Sequence, residues 1–94
     1  MKPSELIEFE KLTEIITAYR VHRPNENNWI AYTINFKIAQ RFAKERNQRV
    51  ITEYSINKKD ILALFLRRGE YEIIVLDKNK IKFINEVYLE RDVI

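Results

Sequence analysis

The stretch that decides the fold is Arg67-Arg68-Gly69-Glu70-Tyr71-Glu72-Ile73-Ile74-Val75-Leu76. The chain has a single glycine, and it stands here, behind two arginines. That composition marks a tight basic turn, because glycine tolerates backbone conformations that other residues resist. The run of β-branched and apolar residues that follows reads as a strand over 70–76. In a strand, Glu70 and Glu72 would point to the same side, since side chains alternate between faces. An apolar strand gains nothing in stability from two adjacent like charges at its start. A solvated strand entrance explains an isolated pair of this kind. A site that uses both carboxylates explains the pair together with its surroundings.

Working outward, the other elements fall into place around this strand. Residues 81–89 read as a last strand or two, separated from it by a hairpin-like turn at Asp77-Lys78-Asn79-Lys80. Upstream, Asn57 and Asp60 bracket a short helix with Ile61, Leu64 and Phe65 facing inward. Before that, Val50-Ile51-Thr52-Glu53-Tyr54-Ser55-Ile56 is a strand. The clearest helix covers residues 36–46 behind an Asn35 cap. Phe36, Ala39, Phe42 and Ala43 share one of its faces, and Lys37, Arg41, Lys44 and Glu45 lie elsewhere. Residues 29–33 are extended, residues 23–28 are loop, and residues 15–22 are a strand. Pro3 and Ser4 open a first helix running to about Thr13, with Ser4 as its cap. The order predicts one α+β domain over residues 1–94, with a mixed or antiparallel sheet and two to three short helices.

Composition agrees with a folded domain. Hydrophobic residues make up 46%, aromatics 12% and charged residues 33%, the balance of a globular chain. Cysteine is absent, which excludes disulfides, thiolate metal sites and cysteine nucleophiles and fits a reducing cytoplasm. The only histidine, His22, rules out histidine clusters and reads as a surface residue at a strand end. The start of the chain lacks the pattern of a signal peptide, and no apolar run approaches the roughly 20 residues of a membrane-spanning helix. A net charge of +3, from 17 basic and 14 acidic residues well mixed along the chain, argues against a nucleic-acid-binding module.

Several segments together resemble the ADP-ribosyltransferase superfamily, in particular its group with an Arg–Ser/Thr–Glu signature. Tyr19-Arg20 looks like the family's strand-borne arginine. Tyr32-Thr33 followed by Phe36-Lys37-Ile38-Ala39-Gln40-Arg41-Phe42-Ala43 is similar to its aromatic-Ser/Thr segment and succeeding helix. Asp60-Ile61-Leu62-Ala63 resembles a segment ahead of the catalytic turn, and Arg68-Gly69-Glu70-Tyr71-Glu72-Ile73-Ile74-Val75 looks like its E-x-E strand. The resemblance covers residues 18–75.

It implies an ADP-ribosyltransferase-like fold and an NAD-dependent mono-ADP-ribosyltransferase that modifies a protein, with arginine the acceptor associated with E-x-E. Small stand-alone members suggest a phage or bacterial effector. NAD would be the co-substrate, with no metal required. Glu72 would face the ribose and offset the charge of an oxocarbenium-like transition state. Glu70 would orient or deprotonate the acceptor. Arg20 would hold the phosphate side of the dinucleotide. Thr33 would hydrogen-bond Glu72, and Tyr32 would join the cofactor-binding set, although its residue type on its own suits the core better than stacking on nicotinamide. The implied geometry is strict: Arg20, Thr33 and Glu72 share one cleft, with the strand of Arg20 beside that of Glu72. Trp29, next to a polar loop, is expected either to cover a ligand or to seal the core rim. The alternative function is an inactive protein of the same fold that binds a nucleotide or a protein partner.

Overall fold

The computed structural model describes residues 1–26 and 29–90, so Asn27 and Asn28, the end of the expected loop, lie outside the described residues. The chain forms helix α1 (Pro3–Glu10), strands β1 (Ile15–Arg20) and β2 (Ala31–Thr33), helix α2 (Phe36–Glu45) and strand β3 (Val50–Asn57). Strands β4 (Ala63–Phe65), β5 (Glu72–Ile74) and β6 (Ile81–Tyr88) follow. The six strands make one sheet in the order β4-β5-β2-β1-β3-β6, and every neighbouring pair is antiparallel.

The sheet has two faces with different cores. On one, Ile16, Ala18, Tyr32, Tyr54, Ile56, Leu64, Ile73 and Val75 pack together, joined by Phe9 and Leu12 from the N-terminal segment. On the other, α2 presses Ala39 and Ala43 against Val21 and Ile51, with Tyr19, Phe36 and Phe42 at the margin. The two fully buried alanines of α2 let its backbone approach the strands closely. Tyr19 meets Phe36 edge-on at 5.2 Å between ring centroids, a favourable aromatic geometry.

The expected α2 is well defined at both ends. Asn35 caps it, its side-chain oxygen accepting from Lys37 N and Ile38 N. At the far end, Asn47 takes a left-handed φ of 54°. Gln48 N donates to Ala43 O at 2.8 Å and Asn47 N to Lys44 O at 3.2 Å. This is the double closure that satisfies the last carbonyls of a helix.

Elsewhere local pattern yields to longer-range bonds. The cap of α1 is Lys2 rather than Ser4, and the helix ends at Glu10. Glu5, 4% exposed, accepts from Lys2 N and, across 61 positions of sequence, from Leu66 N, each at 2.8 Å. Those backbone hydrogen bonds hold its carboxyl below the ordinary range against the opposing effect of burial. Met1 Sδ accepts from Leu64 N at 3.2 Å. The start of the chain thus covers the outer edge of β4.

The helix expected near residues 57–65 is a 3-10 turn, Lys58–Asp60, running into β4. Asp60 starts no α-helix because Ile61 is already extended, and its successors pair with β5. Residues 77–80 do form a turn, but it closes no hairpin. It links β5 to β6, with β2, β1 and β3 lying between them. Residues 81–88 give one strand, paired with β3 through a register shift at Glu53/Tyr54.

Candidate functional site

The strand expected from Glu70 begins two residues later. Arg67–Gly69 is a 3-10 turn, and Arg68, Gly69 and Tyr71 have left-handed φ values of 55°, 68° and 47°. Two of these three are not glycine, and such a conformation costs them about 1–2 kcal/mol each. Tyr71 therefore cannot continue a ladder, and Glu70 sits in the turn rather than on β5. Buttressing from β2 holds the turn: Ile34 N donates to Tyr71 O at 3.2 Å, and Thr33 Oγ1 donates to Glu70 O at 2.7 Å.

Register then assigns the faces. Tyr19 stands opposite Thr33, and Thr33 opposite Glu72. Residues directly opposite share a face, so all three belong to the α2 side. A cleft of about 370 Å³ opens on that side, bordered by Tyr19, Thr33, Phe42 and Glu45 together with Glu70 and Glu72. Thr33 is 3% exposed, and its hydroxyl is spent on Glu70 O and on Asn35 N, from which it accepts at 3.2 Å. The expected Thr33–Glu72 hydrogen bond is replaced by a hold on the turn that leads into Glu72. Each carboxylate has its own guanidinium: Arg41 Nη2 donates to Glu70 Oε2 at 3.2 Å, and Arg67 Nη2 lies 3.8 Å from Glu72 Oε1.

Arg20 follows Tyr19 on β1, so its side chain leaves from the opposite face. It also borders the cleft, but its guanidinium is engaged elsewhere. Nη1 donates to Ala31 O at 2.8 Å, and Nη2 pairs closely with Glu26 Oε1. The strand of Arg20 is not beside that of Glu72, because β2 lies between them. Arg20, Thr33 and Glu72 all border one cleft, but the implied neighbouring of the Arg20 and Glu72 strands and the Thr33–Glu72 hydrogen bond are absent, and Arg20 and Glu72 leave opposite faces.

Around Arg20 the sheet carries a network that the sequence did not disclose. Glu26 Oε2 lies 2.8 Å from His22 Nδ1, and His22 Nε2 lies 2.7 Å from the Tyr54 hydroxyl. An ionised carboxylate only accepts, so Nδ1 is the donor, and in the neutral ring Nε2 accepts from Tyr54. His22 is thus a half-buried bridge and not the expected surface residue. Burial pushes the Glu26 carboxyl up, but the hydrogen bonds and charges of Arg20 and His22 outweigh it and hold it below the ordinary range.

Trp29 packs at the rim of this core, its ring 4.5 Å from that of His22 and with Lys78 Nζ 3.9 Å from its centroid. It seals the core on the Arg20 side. Tyr32, 2% exposed, meets Tyr54 edge-on, and burial followed by the nearby Tyr54 pushes its hydroxyl up to about 12. Its ring belongs to the core, while the residue also borders the cleft.

Among the described residues no group of histidine, aspartate and glutamate side chains is arranged to hold a metal. No helix there is long and apolar enough to cross a membrane. Sequence reasoning missed Glu26, Arg23 and Arg46, which stand beside the assigned residues. The one available signal was the spacing of Glu26 four positions after the only histidine. Comparison with protein-family models, with curated proteins and with solved structures finds no match to this chain.

Proposed function

We propose that the chain is an NAD-dependent mono-ADP-ribosyltransferase that modifies a protein, with Glu72 as the carboxylate that meets the ribose. The observation that carries this reading is the register of Thr33 opposite Glu72 across the floor of a cleft that Glu70 also borders. The strained turn just before Glu72 adds support, since backbone strain persists where the surroundings over-determine a functional geometry.

The chemistry suits these residues. Breaking the bond between ribose C1′ and the nicotinamide nitrogen sends the electron pair to nicotinamide and leaves positive charge on the sugar. A fixed carboxylate stabilises that charge as it develops. Glu72, on β5 with its backbone paired to β2, is fixed in that sense, and its half-exposed side chain remains open to a ligand. The acceptor nitrogen or oxygen bonds to C1′ and gives up a proton, for which Glu70 at the cleft rim is the base. Thr33 acts through the turn, as a positioning residue.

A second reading, binding of a nucleotide or protein partner without turnover, is favoured by one observation. The Arg20 guanidinium is taken by Glu26 and Ala31 O, so the anchor implied by the resemblance is not presented to Glu72. Nicotinamide release from NAD, with and without an arginine-rich protein, separates the readings. Under the first, wild type releases nicotinamide and Glu72→Gln lowers the rate by about 100-fold or more. Glu70→Gln spares hydrolysis by water and impairs transfer. A wild-type protein that NAD stabilises against heat, yet that releases no nicotinamide, supports the second.

A further inference from the structure

We infer that the cleft contains an anion subsite, formed by Arg23, Arg46 and Arg68, that takes the diphosphate of a nucleotide ligand. The inference rests on the reading of the cleft given above and adds which side chains hold the phosphates.

The argument is one of unspent charge. The carboxylates bordering the cleft are met by arginines that do not border it. Arg41 serves both Glu70, at 3.2 Å, and Glu45, at 3.7 Å, while Arg67 serves Glu72. Of the four arginines that do border the cleft, three are left over. Arg20 is claimed by Glu26. Arg23 and Arg68 are exposed, and their side chains make no hydrogen bond or ion pair among the described residues. The Arg46 side chain donates only to Val21 O, at 2.9 Å, and its guanidinium lies 5.0 Å from the centroid of Phe42.

Arg46 and Arg23 also crowd one another. Burial lowers the Arg46 pKa, the charges of Arg23 and Arg20 lower it further, and Glu26 and Glu45 offset this only in part. Like charges gathered in a cleft repel, and a multivalent anion between them turns that cost into attraction. The three carboxylates that border the cleft, Glu45, Glu70 and Glu72, are already met by Arg41 and Arg67, whereas a diphosphate would bring at least two charges to the three guanidinium groups left over. Its several oxygens also match planar guanidinium forks. The turn that strains Arg68 into a left-handed conformation sets this cation beside Glu70 and Glu72 on the cleft wall. Phosphates and ribose of one ligand would then lie along the same wall.

Calorimetric titration of the full chain with inorganic pyrophosphate, ADP-ribose and NAD tests this. Pyrophosphate should bind the wild type and bind more weakly as salt rises. Arg23→Gln and Arg68→Gln should each weaken pyrophosphate and ADP-ribose by about tenfold. Lysine at the same positions should restore only part of the loss, because the charge returns without the fork. No pyrophosphate binding by the wild type, or equal binding by the Arg23→Gln/Arg68→Gln double variant, overturns the subsite. Pyrophosphate binding without NAD binding keeps the subsite and overturns the transferase reading. NAD binding that ignores both substitutions overturns the subsite and keeps the transferase reading.

Discussion

The two faces of the sheet treat charge in opposite ways. On the face that Arg20 occupies, cation, carboxylate, imidazole and phenol close into a chain in which Glu26 serves both Arg20 and His22. Across the sheet, the cleft beside α2 leaves the Arg23 and Arg68 side chains without partners among the described residues and keeps three left-handed residues in the turn before Glu72. The first arrangement is self-sufficient and belongs to the architecture. The second holds charge and strain that the protein alone does not resolve, which is what a ligand site requires. Arginine content alone would not tell them apart. What distinguishes them is whether a carboxylate has already answered.

Substitutions break or sharpen this contrast, and the largest effect belongs to the closed face. Glu26→Ala strips Arg20 and His22 of their shared acceptor and should cost about 1.5–3 kcal/mol in chemical denaturation. Glu26→Gln tests the electrostatic part. The folded-state pKa of Glu26 lies below its ordinary value of 4.5. Its contribution is therefore full above that value and is lost as pH falls through the folded one. The gap in stability between wild type and Glu26→Gln should be widest near neutral pH and shrink below about pH 4.5.

The next effect lies at the open cleft and comes from the backbone. Gly69 has φ +68°, and a Cβ built on it meets nothing within 4 Å. Gly69→Ala should thus cost about 1–2 kcal/mol through conformation alone. A larger loss in denaturant titration would mean that the turn is packed more tightly than its surroundings indicate. The smallest effect is the most diagnostic. Arg23→Gln should change stability by no more than about 0.5 kcal/mol, even where it weakens anion binding. A loss as large as that of Glu26→Ala would erase the contrast between the two faces.

The parts of the fold legible in the sequence are those decided locally. Helix α2 announces itself by its Asn35 cap and its apolar stripe, and β3 by its β-branched residues. What misled were segments governed by distant partners. Ser4 is a good capping residue, but Lys2 takes the position, and Glu5 is bonded to its amide and to Leu66 N. Residues 57–65 have helical spacing, but the pairing of Ala63, Leu64 and Phe65 with β5 makes them a strand. At the site, Glu72 and Thr33 were legible as types and spacings. The face of Arg20 was not, because it depends on which residue of β1 falls opposite Thr33. Its pairing with Glu26 depends on how the loop after β1 folds back, and no local pattern encodes that.

The strands themselves are unequal: β3 and β6 each run eight residues, whereas β2, β4 and β5 each have three. Sub-global opening follows the weakest ladders. The sheet half that carries Glu72 can therefore breathe while β1, β3 and β6 stay closed. Its amide protons would trade with solvent through local fluctuations, and those of the long ladders only when the whole molecule lets go. A ligand bridging Glu72 and the α2 end would slow that exchange on one side alone, so occupancy of the cleft would be written in the backbone of three short strands.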